Sequence, residues 1–583
     1  MIKASDYLAL FLSENKIEHV FGIQGGAVVH LFDSIEKQSK VRPIYCHHEQ
    51  AAALAATAYS KINHRVGCVI TTTGPATTNA LTGLLAAWQD SNPVLFISGQ
   101  TRIEHTSYNK KVRQVGSQEF NILDLVKPIT KFSKLVENVT HLPSILAEAY
   151  KAATSGRQGP VWIDFPVNLQ WQTFQVDKKN NSAFFKPKKN FKKIPQTRIK
   201  SYLKNAKRPL FIIGNGIRSS KSEKVWERIV KKYKLPFVTS WTGMDVLSTN
   251  NSSNLGIIGV VGHRGANKLL FESDLLICLG CRLGLTQTST LTSDFAKSAK
   301  KIIVDIDKDQ LQNLTVEFDL KIETDLNYFL ETLPQFMPPD FSISQEWSNK
   351  CKKLKKLNKV EYTLAKENRG NNKEINSNYF NFKLTSATPK KSIIVVDGGG
   401  TALYTGFQAS VLKANQRLIC SSAISAMGTG IPEAIGASIS SSKAETYCII
   451  GDGSMMFNLQ ELQTVKHHNL PIKIIIYNNL GYLAIKHTQQ SFLNKKFYGT
   501  DINNGLSMPD FRSVAKCFNI PFKRIRGLRN LDRNIIDIIS HQGSLIVEVF
   551  VPQLQEMLFQ QGFKAKKDGT FAPHDLSEMK PYL

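Results

Sequence analysis

Gly451-Asp452-Gly453 and, one loop, helix and strand later, Asn478-Asn479 are the residues of this chain best suited to chemistry. A carboxylate and a carboxamide are hard oxygen donors. Together they suit an octahedral cation such as Mg2+, which takes its remaining ligands from water and the oxygens of a phosphate. An apolar run at 447–450 ends at the glycines, and a second at 472–477 ends at the asparagines. As adjacent parallel strands they place Asp452 and Asn479 side by side at their carboxyl ends, where open α/β sheets bind ligands. Between them Asn458-Leu-Gln-Glu461 has capping-box spacing and predicts a helix over 459–468. A GDG triplet alone also serves ordinary turns; its pairing with Asn-Asn points to a diphosphate and metal site.

The elements that must position these residues follow from hydrophobic patterning. Residues 1–170 alternate helical stretches with buried-strand runs at 68–72, 94–99 and 161–165, bounded by Gly, Thr or Pro, which predicts a parallel sheet. A lysine-rich stretch at 171–198 reads as a linker. A second α/β unit, 190–335, carries apolar strands ending at Gly214-Asn-Gly216 and Gly280 but no GxGxxG, so its dinucleotide signal is weak. A charged helical connector leads into a third unit, 365–555, which holds the Asp452 motif. A polar tail, 556–583, either folds over a site or has no function. The fold class is α/β, with three doubly wound parallel-sheet domains and a C-terminal tail.

Bulk properties narrow the function classes. A chain of 583 residues with 42% hydrophobic content exceeds one core. No uncharged apolar stretch reaches membrane-spanning length and no signal-peptide succession opens the chain, so a cytoplasmic protein with no membrane partner is expected. Cys278 and Cys281 form a CxxC with no second pair at zinc-site spacing, and they read as buried strand residues. The net charge of +27 comes largely from lysines scattered among asparagines, without a zinc-finger, RRM or basic-zipper pattern. That favours a general attraction for anionic substrates over specific nucleic-acid binding.

With the metal motif in place, Val20-Phe-Gly-Ile-Gln-Gly-Gly-Ala27, His48-Glu49-Gln50-Ala-Ala and Thr73-Gly-Pro-Ala-Thr-Thr-Asn79 stand in an informative order and spacing. The chain resembles the acetolactate synthase (large, catalytic subunit) branch of thiamine diphosphate enzymes over nearly its whole length. The resemblance implies a pyrimidine-binding first domain, a central domain and a diphosphate-binding third domain. It assigns Glu49 to hydrogen bond N1′ of the cofactor's aminopyrimidine, so that N4′ removes the C2 proton, and Met427 of Ser425-Ala-Met-Gly428 to hold the two rings in a V. Asp452, Asn479 and the Gly481 carbonyl become the Mg2+ ligands. Pro75, Asn79, Gly399, Gly400, Thr401, Gly451, Gly453, Ser454 and Tyr482 become cofactor contacts, while Gln118 and Lys131 line the substrate channel. A site shared between subunits implies a homodimer or homotetramer.

The departures are equally specific. Synthases carry Gln and His where this chain has Gly400 and Thr401, and a tryptophan that shapes the acceptor pocket where it has Thr488. The latter, with the tail, resembles relatives in polysaccharide or unusual-sugar pathways. Gly259-Val-Val-Gly262 replaces a Gly-Met-His-Gly segment near the synthase flavin, while Arg282 matches an arginine on the flavin phosphate, which leaves room for FAD in a structural role. The expected activity is a carboligase that decarboxylates pyruvate or another 2-keto acid and passes the acyl unit to a carbonyl acceptor. The keto-sugar nucleotide is one candidate acceptor. Acetolactate synthase proper, a simple 2-keto acid decarboxylase and a silent cofactor-binding regulatory protein are the alternatives.

Overall fold

A computed structural model of the chain describes residues 1–176, 192–565 and 571–581. Three six-stranded parallel sheets organise it. The first runs, edge to edge, Arg42–Tyr45, His19–Gly22, Gly67–Thr71, Val94–Gln100, Val161–Pro166, Ser133–Leu135. The third runs Arg417–Ile419, Ile393–Val396, Thr446–Gly451, Ile472–Asn478, Leu545–Phe550, Phe522–Ile525. In chain order both sheets read 2-1-3-4-6-5, so the first and third domains share one topology. The middle sheet reads 3-2-1-4-5-6, from Asn254–Ile257 through Phe237–Thr239, Pro209–Ile213, Leu275–Leu279 and Lys300–Asp305 to Leu320–Glu323. Its central strands are buried at every position, as a sheet covered on both faces requires.

The first and third domains meet along two helices, Glu49–Asn63 and Gly430–Ser440. The alanines of the first and Gly436 of the second allow close approach: a methyl group on Gly436 would lie 1.9 Å from the Ala55 carbonyl oxygen. At the end of this contact the buried Lys61 ammonium donates to Asp90 (2.9 Å), Glu433 (3.2 Å), the Cys420 carbonyl and the Ser421 hydroxyl (both 3.0 Å). Burial opposes its charge, but the two carboxylates more than offset that and hold it above the ordinary lysine range. Asp245 of the middle domain accepts from Arg218 (3.1 Å), Arg417 (2.7 Å) and the Leu418 N–H (3.0 Å), which fixes that domain to the third.

Some expectations need correction. The helix over 459–468 is not capped by Asn458: its backbone (φ −137°, ψ 38°) breaks the segment into a 3-10 turn, Met456–Glu461, and a short helix, Leu462–His467. The linker at 171–198 begins as structure, because Thr173–Phe174 pairs antiparallel with Ile2–Lys3 and buries Phe174. Residues 177–191 of that linker, and Asp568-Gly-Thr570 of the tail, lie outside the described residues. The described part of the tail folds onto the middle domain. Gln560–Gln561 pairs with Met579–Lys580, the Gln561 N–H donates to the Val260 carbonyl (2.7 Å), and Leu576 is buried. All eight cysteines are free thiols; Cys278 and Cys281 are both buried, but only Cys278 lies in a strand, Cys281 falling just past the end of Leu275–Leu279.

Candidate active site

In the third sheet Thr446–Gly451 and Ile472–Asn478 pair in register, Gly451 opposite Tyr477, so Asp452 and Asn479 leave neighbouring carboxyl ends. Asp452 is 1% exposed; its carboxylate accepts from the Gly481 N–H (2.9 Å) and the Gly453 N–H (2.8 Å). Burial raises it to about 7 against the four N–H groups of residues 453 and 479–481 that favour the anion. The Asn479 amide donates to the Gly481 carbonyl (2.8 Å), and its oxygen accepts from the Thr401 hydroxyl (3.4 Å). A carboxylate, a carboxamide and a main-chain carbonyl thus converge, which is a donor set that fits a hard cation. Turning the Asn479 amide over would present its oxygen beside Gly481 O, an exchange of atoms that costs no side-chain displacement.

Glycine is required where this cluster is tightest. Gly481 has φ 143°, and a methyl there would sit 1.8 Å from the Thr500 carbonyl; one on Gly453 would sit 2.1 Å from the Tyr482 ring. The Thr500 loop is held in turn by buried Lys486, which pairs with Asp501 at 2.8 Å. Across the switch point of the sheet, Gly399 caps helix Gly400–Ala409, whose free N–H groups favour an anion. Asp397, which sequence reading passed over, organises this edge: it accepts from Gly399 N–H (2.7 Å) and Gly430 N–H (2.9 Å) and touches the Ser454 hydroxyl. A charged residue closing the apolar run at 393–396 was the available signal. Gly400 packs on Ala484, so the position has no room for a long side chain.

The other candidates gather on the first domain. Glu49 begins helix Glu49–Asn63, whose N-cap is His48, with its ring nitrogen accepting from Gln50 N–H (3.1 Å). The Glu49 carboxylate accepts from the Asn79 amide at 3.0 Å. Asn79 ends the short helix Pro75–Asn79, entered through Gly74 at φ 68°. The Gln118 carbonyl presses on Gly74, since a methyl there would lie 2.1 Å from it. Glu49, Pro75, Asn79 and Gln118 therefore form one face, with Pro75, Asn79 and Gln118 exposed. Lys131 is engaged elsewhere: its ammonium donates to the Ser155 carbonyl (2.6 Å), and burial pulls it down to about 8 against the pull of Asp307 in the middle domain.

Asn458 and Glu461 join the two halves. The Asn458 amide donates to the Gly428 carbonyl (2.8 Å), next to half-buried Met427, and to the Gln50 amide oxygen (3.1 Å). Glu461 accepts from the His47 N–H (2.9 Å), and burial raises its carboxyl. Among the described residues no hydrogen bond runs from Glu49 or Asn79 to Asp452 or Asn479.

The flavin set is less well provided. The Gly259–Gly262 segment is occupied by the protein itself: Asn267 brackets Gly259 with two hydrogen bonds (3.0 and 2.9 Å), and the tail takes the Val260 carbonyl. Arg282 reaches to Gln89 (3.2 Å). These residues do not fit a flavin laid against that segment.

A fold of two like-ordered sheets flanking a third, with oxygen donors at a switch point and a carboxylate on the facing domain, defines a cofactor-dependent α/β enzyme. Comparison with known families places it: residues 2–125 match the thiamine pyrophosphate enzyme N-terminal TPP binding domain, 197–333 the central domain and 397–549 the C-terminal TPP binding domain. The chain is 30% identical over 560 residues to the acetolactate synthase large subunit of Cyanidium caldarium, covering 93% of this chain and 92% of that one. It is 30% identical over 537 residues to that of Buchnera aphidicola subsp. Acyrthosiphon pisum (strain APS), 89% of each chain, and 28% identical over 545 to the acetolactate synthase isozyme 2 large subunit of Escherichia coli (strain K12), 93% and 94%. The protein belongs to the thiamine pyrophosphate enzyme family and is a thiamine diphosphate- and Mg2+-dependent, acetolactate synthase-like enzyme of the carboligase and lyase type. No helix among the described residues is long and apolar enough to cross a membrane.

Proposed function

We propose that the protein decarboxylates pyruvate or a related 2-keto acid and transfers the acyl unit to a carbonyl acceptor bulkier than a second pyruvate, with a keto-sugar nucleotide as the candidate. The observation that carries this reading is the helix Leu483–Phe492 beside the metal cluster, where Thr488 is exposed and turns its hydroxyl back onto the Ala484 carbonyl (3.1 Å). A short, internally satisfied side chain leaves open the space a tryptophan would fill.

Asp452, Asn479 and the Gly481 carbonyl hold Mg2+ in this reading, and the Gly399–Thr401 turn meets the diphosphate. Bound there, thiamine diphosphate would supply the nucleophilic carbon and electron sink that decarboxylation of a 2-keto acid requires. Glu49 exchanges a proton with N1′ of the aminopyrimidine, and Asn79, donating to its other face, orients the carboxylate. Met427 would pack against the bound cofactor, and Gln118 would orient substrate oxygen. Lys131, with its ammonium on Ser155, contributes positive potential from the channel wall.

The exposed face of Glu49, Pro75, Asn79 and Gln118 and the buried metal cluster are completed by a second subunit, so the working unit is a homodimer or a tetramer built from it. Phe457, Leu480, Ile485 and Ile502, each at least 43% exposed and all flanking the metal cluster in sequence, support an interface there. The test is product analysis with thiamine diphosphate, Mg2+ and pyruvate, with and without a keto-sugar nucleotide. Acetyl transfer to the sugar establishes the reading; rapid acetolactate formation from pyruvate alone replaces it with acetolactate synthase proper.

A further inference from the structure

We propose that Gln100 and Asp164 are positioning residues that set the spacing between the turn carrying Asn79 and the arm carrying Gln118. They are 2% and 0% exposed, near the carboxyl ends of the neighbouring strands Val94–Gln100 and Val161–Pro166. The Gln100 amide oxygen accepts from the Thr73 hydroxyl (2.8 Å) and the Thr101 N–H (2.9 Å). Its nitrogen donates to the Phe120 carbonyl (3.2 Å) and to Asp164 (3.1 Å). Four bonds saturate a carboxamide, and here they reach both segments that frame the exposed face. Thr73 leads into Gly74-Pro75, and Phe120 follows Gln118-Glu119.

Asp164 anchors the far end of the same arm. Its carboxylate accepts from the Ser98 hydroxyl (2.5 Å) and the Tyr108 hydroxyl (2.8 Å). Glu119 closes the arm on itself, accepting from the Ser107 N–H (2.8 Å) and the Val115 N–H (3.0 Å). The arm is thus pinned on either side of Gln118, which stays exposed at φ 60° with its carbonyl on Gly74. An apolar pair would pack these strands at lower desolvation cost, whereas a saturated polar network specifies one geometry. The feature it specifies is the placement of Gln118 relative to Asn79 and Glu49.

The inference rests on the reading of Gln118 as a substrate-facing residue, so the experiment separates the two. In the full-length protein with thiamine diphosphate, Mg2+ and pyruvate, carbon dioxide release is measured for Tyr108→Phe, Gln118→Ala and the double variant. Tyr108→Phe removes one donor and keeps the ring. It is expected to raise the KM for pyruvate about tenfold, the size of one lost hydrogen bond to a charged group. The kcat and the exchange rate of the cofactor C2 proton stay within about twofold. In the Gln118→Ala background it adds no further KM change. Equal KM increases in both backgrounds, or a loss of thermal stability with KM unchanged, overturn the positioning role alone. An unaltered KM in Gln118→Ala, or a wild-type chain that releases no carbon dioxide from pyruvate, overturns the reading of the site and the positioning role with it. If Tyr108→Phe does not accumulate as folded protein, Ser98→Ala removes the donor on the other Asp164 oxygen and carries the same outcomes.

Discussion

The Glu461 carboxylate accepts the backbone N–H of His47 at 2.9 Å, across 414 residues of sequence. This bond ties the turn that delivers Glu49 to the segment that follows Asp452. Its second oxygen accepts from the Thr464 hydroxyl (2.7 Å), and the residue is 0% exposed. Glu461→Ala leaves the His47 N–H without its partner and is expected to cost about 1–3 kcal/mol of stability. Denaturant unfolding measures it, and an unchanged midpoint contradicts the role.

Glu49→Gln retains the bond from Asn79 but removes the proton-exchanging group. Cofactor affinity is expected to stay within a few-fold while C2 deprotonation slows by about 10²–10⁴. Hydrogen–deuterium exchange at C2, followed by NMR, reads the rate directly; wild-type exchange in the variant removes Glu49 from the mechanism.

Asp452→Ala takes away the buried carboxylate of the oxygen cluster. Mg2+ and thiamine diphosphate binding are expected to fall together by at least about a hundredfold, since the metal bridges protein and diphosphate. Calorimetric titration is the check, and retained affinity disproves the ligand assignment.

His263 gives the acid stability a defined sign. Its ring contacts the Gln408 carbonyl (3.0 Å) through one nitrogen and accepts the Ile257 N–H (3.1 Å) with the other, so a second ring proton has no acceptor. Burial pulls its folded-state pKa down to about 4, with nearby Lys355 acting in the same direction. A depressed folded-state pKa means the contribution is complete above the unfolded value of about 6.5 and is lost as pH falls towards 4. The loss reaches about 3 kcal/mol. Thermal melts between pH 7 and 4 should fall less steeply for His263→Gln; parallel curves refute the assignment.

Gly436→Leu forces a side chain into the Ala55 carbonyl at the junction of the first and third domains. A destabilisation of about 1–3 kcal/mol or more is expected from overpacking, measurable as a lowered melting temperature.

The central strands were legible because they are apolar runs; 94–99 and 472–477 differ from the observed Val94–Gln100 and Ile472–Asn478 by one residue, whereas edge strands such as Ser133–Leu135 and Phe522–Ile525 carry lysine or arginine and gave no such run. Asp452 and Asn479 were legible together because parallel pairing converts a spacing in sequence into adjacency in space. The Asn458-to-Glu461 spacing misled because both side chains are taken by other segments, Gln50, Gly428 and His47, and such tertiary demand leaves no local trace. Gln100 and Asp164 were invisible for the same reason: one closes a strand and the other sits inside an apolar run, and neither shows its partners until the fold places them. The tail's docking depends on the shape of the middle domain, which no periodicity encodes.

The Ala55–Gly436 contact and the Lys61 cluster mean that the two ends of the chain hold each other without help from the peptide links between them. A chain cut within the middle domain should therefore survive purification as a nicked but associated pair, and the gene could be divided there into two separately expressed halves that reassemble.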